Sequence, residues 1–487
     1  MLSILLCALR DIAYDNKFDS LAEEIQDTCL KSRHKKGLEG YRIVPRFIDR
    51  EILHDLIDGN DIPDKGNISM CYKFFKRKIK LYIRGIDKNE IRDEENSKLK
   101  VLFNVIARRL SLVWIIIDKQ DDPWSIFDSL NGTALKLEEA DFIRNHIFRH
   151  VYSEQEEEFY TIVWSPFEKK FIKAGSEVPD SSLTTKFYRD FLICRTGDYV
   201  GKEKIYANFV EFYRSINKQG IDLTTFVNEM KYYADIYFIV NGEAESHIPQ
   251  IDKAFSRINS LEVNTANPLL MSIYARFLEG DITASECVKM LKAIESFVVR
   301  RNIMRARTRG YGFQFADAVR NSQTLDDLIL FLLDIGWHSD AKIREELKTF
   351  EFYKHIRPNP RRMILRELEN SFNHKEPVLL TESITVEHVM PQTLTREWEE
   401  MLGDRYDQYH SQYKDTLGNL TLTGYNSELG NLPFYAKKQR FLESHFELNR
   451  HFQRVEKWTI SEILERGELL ANRIIELWAH PDSGFFD

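Results

Sequence analysis

The residues of this chain whose types and spacing suit chemistry lie in the segment 384–437. A β-branched run there ends in Glu387 and His388, and a second short apolar run follows Asn419. A stretch typical of a helix, which carries Lys437, closes the segment. Two strands followed by a helix, with these polar residues at the junctions, predict a site where one metal ion assists hydrolysis of a phosphodiester.

Such hydrolysis needs a base that takes a proton from water, a cation that neutralises charge on the phosphate, and a group that orients the base. We predict His388 as the base, because imidazole titrates near neutral pH. Glu387 and Asn426 offer the hard oxygen atoms that Mg²⁺ or Mn²⁺ prefers. We expect Asn419 to hydrogen-bond the imidazole and fix its tautomer, and Lys437 to hold a neighbouring phosphate.

Glu387 and His388 are adjacent, and adjacent side chains on a regular strand point to opposite faces. The strand must therefore end or bend at His388, and Pro391 makes this plausible. A single histidine followed by a proline is more often structural than catalytic. The ordered set of Glu-His-x-x-Pro-Gln, Gly-Asn-Leu-x-Leu, Asn and Phe-x-x-Lys is much more specific and favours a nuclease.

Basic residues elsewhere are candidates for contacts with nucleic acid. Arg361 and Arg362 follow a predicted joint at Arg357-Pro-Asn-Pro360, and we predict that they contact DNA phosphates. The stretch 71–85 interleaves lysines with aromatic residues, which fits either a phosphate-tracking surface or a solvated helix face. Five arginines between Arg300 and Arg309 fit phosphate contact and pairing with acidic helices equally well.

The C-terminal motifs resemble the His-Asn-His (HNH) nuclease domain of GmrSD-type restriction endonucleases, which are modification-dependent (Type IV) enzymes of bacterial anti-phage defence. The resemblance rests on Val386–Gln392, Leu417–Leu422, Asn426 and Asn431–Lys437. It implies that His388 is the general base, that Asn419 orients it, and that Glu387 and Asn426 bind the metal. Asn431 is a second choice for that last role.

The stretch from Ile126 to Asn145 resembles the N-terminal domain of the same family, which is ParB-like and hydrolyses nucleoside triphosphates. The resemblance implies that Asn131, Asp141 and Asn145 face a nucleotide site, whereas helix capping and hydrogen bonds along a helix seam are the alternative. The family's Asp-Gly-Gln-Gln-Arg signature precedes a helix similar to Leu2–Leu9, and it does not occur in this sequence. We therefore expect a truncated ParB-like α/β domain, with NTP bound only by a longer form.

With 487 residues the chain is too long for one ordinary core. We predict three segments: a truncated ParB-like domain at 1–150, a helical middle at 151–345 and a nuclease domain at 346–487. Apolar residues at helical spacing dominate the middle segment, and Thr283 and Glu286 form a predicted capping box. The predicted fold class is α+β, predominantly α-helical, with a C-terminal ββα-metal (HNH) motif.

Composition excludes several classes of protein. A net charge of −8 rules out a generally basic nucleic-acid coat, so DNA contact must come from local patches. Five scattered cysteines without C-x-x-C spacing argue against disulfides and cysteine zinc sites, and with the lack of a signal peptide or membrane span they predict a cytoplasmic protein. No P-loop, G-x-S-x-G or H-E-x-x-H motif occurs.

The motifs predict a metal-dependent endonuclease that can form a homo-oligomer, and the resemblance implies that its substrate is double-stranded, modified phage DNA. The alternative is a non-cleaving DNA-binding or regulatory protein, or an inactive fragment without its nucleotide-sensing motif.

Overall fold

The computed structural model describes residues 1–45, 47–64, 66–84, 91–111, 138–152, 154–176, 178–372, 384–424 and 426–486. The chain divides into two compact units, Met1–Ser181 and Ser182–Asp487. The predicted boundary at residue 345 falls inside the second unit, where Arg300 donates a 2.6 Å hydrogen bond to the carbonyl oxygen of Trp478. The middle and C-terminal segments of the predicted organisation thus pack together.

The described part of the first unit is helical. Its α-helices are α1 (Leu2–Asp15), α2 (Asp19–Ile25), α3 (Phe47–Asp58), α4 (Asn67–Ile83), α5 (Ile91–Arg108), α6 (Glu139–Arg149), α7 (Glu156–Phe159) and α8 (Ser165–Glu168). π-Helical turns span Gln26–Leu30 and Tyr160–Trp164, and 3₁₀ turns span Gly37–Gly40 and Lys169–Phe171. The first core forms around α1, whose apolar side is buried against α2 to α5.

The basic stretch predicted at 71–85 is the solvated face of α4. Lys73 pairs with Asp64 at 2.8 Å, and Lys76 and Lys80 approach Asp15 at 3.6 Å. Another side of α4 buries Ile79 and Ile83, whereas Phe74, Leu81 and Tyr82 are exposed. The ion pairs of the lysines favour the helix-face alternative, and the phosphate-tracking surface stays a prediction.

Two of the three predicted nucleotide-site residues lie on α6. Asp141 forms a capping box with Glu138 and accepts a second hydrogen bond, 3.1 Å long, from the hydroxyl of Ser181. Asn145 is exposed. Asn131 lies outside the described residues. The described geometry matches the capping alternative for Asp141, and the nucleotide role stays a prediction.

The second unit begins with a helical array. Its α-helices up to the first strand are α9 (Ser181–Thr196), α10 (Ile205–Lys218), α11 (Leu223–Val240), α12 (Pro249–Ser260), α13 (Asn267–Glu279), α14 (Ala284–Ile303), α15 (Tyr311–Asn321), α16 (Leu325–Asp334), α17 (Asp340–Leu347), α18 (Phe352–His355) and α19 (Pro358–Asn370). The predicted capping box of Thr283 and Glu286 is present at the start of α14.

The five arginines between Arg300 and Arg309 differ in exposure: the first two are buried or half-buried, and Arg305, Arg307 and Arg309 are exposed. Arg300 is fully buried on α14 and donates to the carbonyl oxygens of Trp478 and His338 and to the carboxylate of Asp340. Arg301 donates to Ile335, and Arg305 pairs with an acidic residue of α17. Internal partners take up the guanidinium groups of Arg300 and Arg301, which contradicts phosphate contact for these two. For the exposed arginines the phosphate-contact alternative stays a prediction.

The C-terminal part of the second unit contains a two-stranded antiparallel sheet set among helices. The elements are β1 (Thr385–His388), α20 (Arg396–Leu402), α21 (Tyr406–Tyr413), β2 (Leu420–Thr423), α22 (Asn426–Leu429), α23 (Phe434–Leu442), α24 (Glu447–Arg450) and α25 (Ile460–Leu477). In the register of the sheet, Glu387 lies opposite Thr421 and His388 opposite Leu420.

Helix predominates over strand in the described residues, so the predicted α+β, mainly helical fold class is confirmed. None of the described helices combines the length and the apolar character needed to cross a bilayer.

Candidate active site

The end of β1 separates the two residues that the sequence singled out. β1 ends at His388, as the alternation of side chains along a strand requires. The Glu387 carboxylate contacts Lys437 of α23, whereas the His388 imidazole contacts Asp415, which precedes β2. Both side chains are buried. The strand therefore supplies two distinct polar clusters rather than one.

Asp415 is the carboxylate partner of His388. The distance from Nε2 of His388 to Oδ1 of Asp415 is 3.0 Å, and both residues are buried. On the other side of the ring, Nε2 of Gln392 lies 3.4 Å from Nδ1. Because a carboxylate can only accept and an amide nitrogen can only donate, these contacts assign the proton to Nε2 and the lone pair to Nδ1.

The surroundings of His388 favour its neutral form. Burial lowers the pKa of the imidazole, and the positive charges of Lys437 and Arg361 lower it further, while Asp415 opposes the shift. A neutral imidazole with a lone pair at Nδ1 can accept a proton. The geometry thus gives His388 the protonation state that a general base requires.

Tyr353 of α18 also contacts His388. The two rings meet edge to face, with centroids 4.4 Å apart and planes inclined by 66°. The backbone N–H of Tyr353 donates a 2.9 Å hydrogen bond to the carbonyl oxygen of Asp415. The guanidinium of Arg361 lies 3.7 Å from the centre of the Tyr353 ring and donates to the carbonyl oxygen of Tyr353. Arg361 was predicted to contact DNA phosphate, and the structure instead packs it against the tyrosine.

Asn419 does not hydrogen-bond His388, so that predicted contact is wrong. Its Oδ1 accepts from the backbone N–H of Met390 at 2.7 Å and from the indole N–H of Trp458 at 3.0 Å. Its Nδ2 donates to the carbonyl oxygens of Met390 and Lys414 at 2.9 and 2.7 Å. The amide is thus fully used in tying the turn after β1 to the segment before β2. Asn419 positions the backbone next to His388 rather than the imidazole itself.

Lys437 is an internal counterion, and its predicted role as a phosphate contact is wrong in this structure. Its ammonium is completely buried and lies 2.6 Å from Oε1 of Glu387 and 2.7 Å from the carbonyl oxygen of His388. Burial raises the pKa of Glu387 and lowers that of Lys437, while the ion pair opposes both shifts. Removal of one partner would leave a buried charge without compensation.

The structure describes the predicted metal ligands only in part. Lys437 holds one carboxylate oxygen of Glu387, and Asn431 lies exposed between α22 and α23. Asn426 begins α22, but its side chain lies outside the described part. Within that part, no three His, Cys, Asp or Glu residues cluster as a metal site would require. The donor types suit Mg²⁺ or Mn²⁺, and the roles of Glu387, Asn426 and Asn431 as metal ligands stay a prediction.

A close contact between glycines fixes the turn that precedes β2. Residues Leu417–Asn419 form a 3₁₀ turn against α25, and Gly418 faces Gly467 of that helix. The fully buried Arg466 donates 2.7 Å hydrogen bonds to the carbonyl oxygens of Gly418 and Leu420. Burial lowers the pKa of Arg466 to about 9. α25 therefore holds the backbone on both sides of Asn419.

Arg362 lies apart from the His388 cluster. It lines a cleft of about 830 Å³ between α11, α12 and α19, together with Arg257 and Glu367. Arg257 donates to Glu367 across this cleft at 3.1 Å. The role of Arg362 as a phosphate contact stays a prediction.

Sequence reasoning missed Asp415 and Tyr353. Asp415 lies 27 residues after His388, and Tyr353 lies 35 residues before it, in a helix of four residues. Neither spacing belongs to a local periodicity. The one available signal was that a buried histidine base requires an acceptor for its second nitrogen, which directs attention to the carboxylate just ahead of the Gly-Asn pair.

One comparison with known proteins gives a match in this part of the chain. Residues 337–473 match the family model described as the C-terminal domain of GmrSD restriction endonucleases. None of the curated proteins compared with the chain matches it. The matched range contains Tyr353, Glu387, His388, Asp415 and Asn419. The segment 337–473 is therefore similar to the C-terminal domains of GmrSD restriction endonucleases.

Proposed function

We propose that this protein is a metal-dependent DNA endonuclease in which His388 is the general base. The observation that carries the proposal is the buried His388–Asp415 pair, 3.0 Å apart, inside a domain whose family name denotes restriction endonucleases. The substrate class follows from that name, since restriction endonucleases hydrolyse the phosphodiester backbone of DNA.

The roles of the residues follow from their contacts. Asp415 accepts the Nε2 proton, which leaves the Nδ1 lone pair of His388 to take a proton from water. The resulting hydroxide attacks phosphorus, one phosphorus–oxygen bond breaks, and the leaving oxygen takes up a proton. Gln392, whose amide lies 3.4 Å from Nδ1, is exposed and occupies the approach to that nitrogen. We propose that Gln392 turns aside when substrate binds.

The proposal retains a requirement for Mg²⁺ or Mn²⁺, which would neutralise negative charge on the phosphate. Glu387 and Asn426 are the proposed ligands, with Asn431 as a second choice. The ammonium of Lys437 now lies against Glu387, so a cation bound there would compete with Lys437 for the same carboxylate. Because of this competition, the dependence of cleavage on Mg²⁺ or Mn²⁺ is tested separately from the role of His388.

We further propose that the substrate is double-stranded, modified phage DNA, that the enzyme acts in the bacterial cytoplasm as part of anti-phage restriction, and that it can form a homo-oligomer. The HNH and ParB-like assignments belong to the same proposal. NTP binding is proposed only for a longer form that carries the nucleotide-site signature. These statements rest on the family resemblance.

The test is to incubate the purified chain with modified and unmodified plasmid or phage DNA in Mg²⁺, in Mn²⁺ and in EDTA. The proposal expects the wild-type protein to cut in the presence of metal and His388→Ala to be inactive. Equal cutting by both proteins would remove His388 from the reaction. Salt-dependent DNA binding without cleavage under either metal would instead favour the alternative of a non-cleaving, regulatory protein.

A further inference from the structure

We propose that Tyr353 is a positioning residue for His388 and that Arg361 holds Tyr353 in place. This inference rests on the proposed function, because it assigns a part in DNA cleavage to residues of α18 and α19. Both residues precede β1 in the chain and belong to none of the motifs that predicted the nuclease.

The contacts of Tyr353 constrain both His388 and its partner Asp415. Its ring meets the imidazole of His388 edge to face at 4.4 Å. Its backbone N–H donates to the carbonyl oxygen of Asp415 at 2.9 Å. Tyr353 thus contacts the general base His388 directly and also anchors the backbone of Asp415, which orients His388. An edge-to-face contact depends on the angle between the rings, so it restricts rotation of the imidazole.

Arg361 connects Tyr353 to α19. Its guanidinium lies 3.7 Å from the centre of the Tyr353 ring, and it donates to the carbonyl oxygens of Tyr353 and Ile356, the second at 3.3 Å. The Nε atom of Arg361 is buried, and it has no hydrogen-bond partner among the described residues. A buried donor without a partner is costly, so the packing on Tyr353 must offset that cost. Arg361 therefore clamps the ring and the backbone of Tyr353 together.

His388 needs such support because its polar contacts leave it a choice of orientation. The hydrogen bond to Asp415 is 3.0 Å long, and Gln392 on the other nitrogen is exposed and 3.4 Å away. One such hydrogen bond leaves the plane of the imidazole free to tilt. The Tyr353 ring lies edge to face beside the imidazole, and this contact restricts the tilt. Misalignment of the general base His388 lowers the rate of the chemical step without changing the affinity for DNA.

The test compares Tyr353→Leu with Tyr353→Phe in DNA cleavage by the full chain. Loss of the aromatic edge is expected to lower kcat on the order of tenfold or more while KM stays the same. Phenylalanine keeps the ring and is expected to restore most of kcat. Tyr435→Leu is the matched control, because Tyr435 is an exposed tyrosine of α23 in the same domain. A wild-type kcat for Tyr353→Leu would overturn the inference.

A second measurement does not depend on activity. The ring-proton signals of His388 in NMR spectra of protein with labelled histidine, assigned by comparison with His388→Gln, report the ring current of Tyr353. The inference expects Tyr353→Leu to move these signals, and Tyr353→Phe and Tyr435→Leu to leave them close to the wild type. Unchanged signals in Tyr353→Leu would overturn the positioning role even if no DNA cleavage is found. If the signals move but the wild-type protein does not cut DNA, the positioning contact stands and the proposed nuclease function fails.

Discussion

The contact between Gly418 and α25 gives the sharpest prediction about stability. A Cβ atom added at Gly418 would lie 2.1 Å from the carbonyl oxygen of Ile463, 3.0 Å from the backbone nitrogen of Gly467 and 3.1 Å from its Cα atom. All three are backbone atoms, so no flexible side chain can move away. To reach ordinary contact, the turn or the helix must shift by more than 1 Å, which also moves the neighbouring Asn419.

We expect Gly418→Ala to lower the free energy of unfolding by about 2–3 kcal/mol, in the upper range for an overpacked site. The same substitution at Gly467 should have the opposite or no effect. Its Cβ would meet Gly418 atoms only at 3.7 and 3.8 Å, and alanine is favoured over glycine inside a helix by about 1 kcal/mol. Because the two glycines face each other, comparing the two alanine variants shows whether the loss comes from the steric clash at Gly418 or from any change in this contact.

The assay is urea unfolding of the two variants and the wild type, followed by tryptophan fluorescence. Gly424→Ala is a further control, since a Cβ there would meet no atom within 4 Å. The reasoning would be refuted if Gly418→Ala were as stable as the wild type, or if both facing glycines gave the same loss. DNA cleavage should fall with Gly418→Ala, because the turn carries Asn419.

Three other substitutions test the interior of the site. Asn419→Ala should lower the free energy of unfolding by about 3 kcal/mol, because four hydrogen bonds are lost and buried donors remain, whereas Asn431→Ala at an exposed position should leave urea unfolding unchanged. Lys437→Met should lower the free energy of unfolding by about 3–5 kcal/mol, because it leaves Glu387 buried without its counterion. The double variant with Glu387→Gln should recover part of that loss. Additive losses in the double-mutant cycle would contradict the ion pair. Burial lowers the pKa of His451 to about 4, below the value of about 6.5 in the unfolded chain. As the pH drops, the unfolded chain therefore binds this proton first, and the free energy of unfolding falls between about pH 6.5 and pH 4. His451→Gln should therefore reduce the difference in Tm between pH 7 and pH 5, and an unchanged difference would show that other groups cause it.

Local rules predicted the elements well where the pattern was itself local. The capping box at Thr283 and the helical stripe behind it come from contacts within one helix. The end of β1 at His388 follows from the alternation of Glu387 and His388 along a strand. These features depend on residues at most a few positions apart.

The partners of the polar residues could not be predicted, because tertiary packing chooses them. His388 bonds to Asp415 and not to Asn419, since the Asn419 amide is used up by backbone groups and by Trp458. Lys437 pairs with Glu387 because α23 brings the two together inside the core. Sequence motifs thus identified residues that the fold brings close together in the candidate site, while the direction of each side chain required the fold.

The most direct test of the central claim, that Asp415 orients His388 for DNA cleavage, is the single-turnover cleavage rate of Asp415→Asn. The amide would replace the acceptor of the Nε2 proton with a group that can also donate, so the other tautomer of His388 becomes accessible. We predict that the single-turnover cleavage rate falls about 100-fold or more while the affinity for DNA stays unchanged. Asp407→Asn, at an exposed position of α21, should cut at the wild-type rate. Wild-type cleavage by Asp415→Asn would contradict the account.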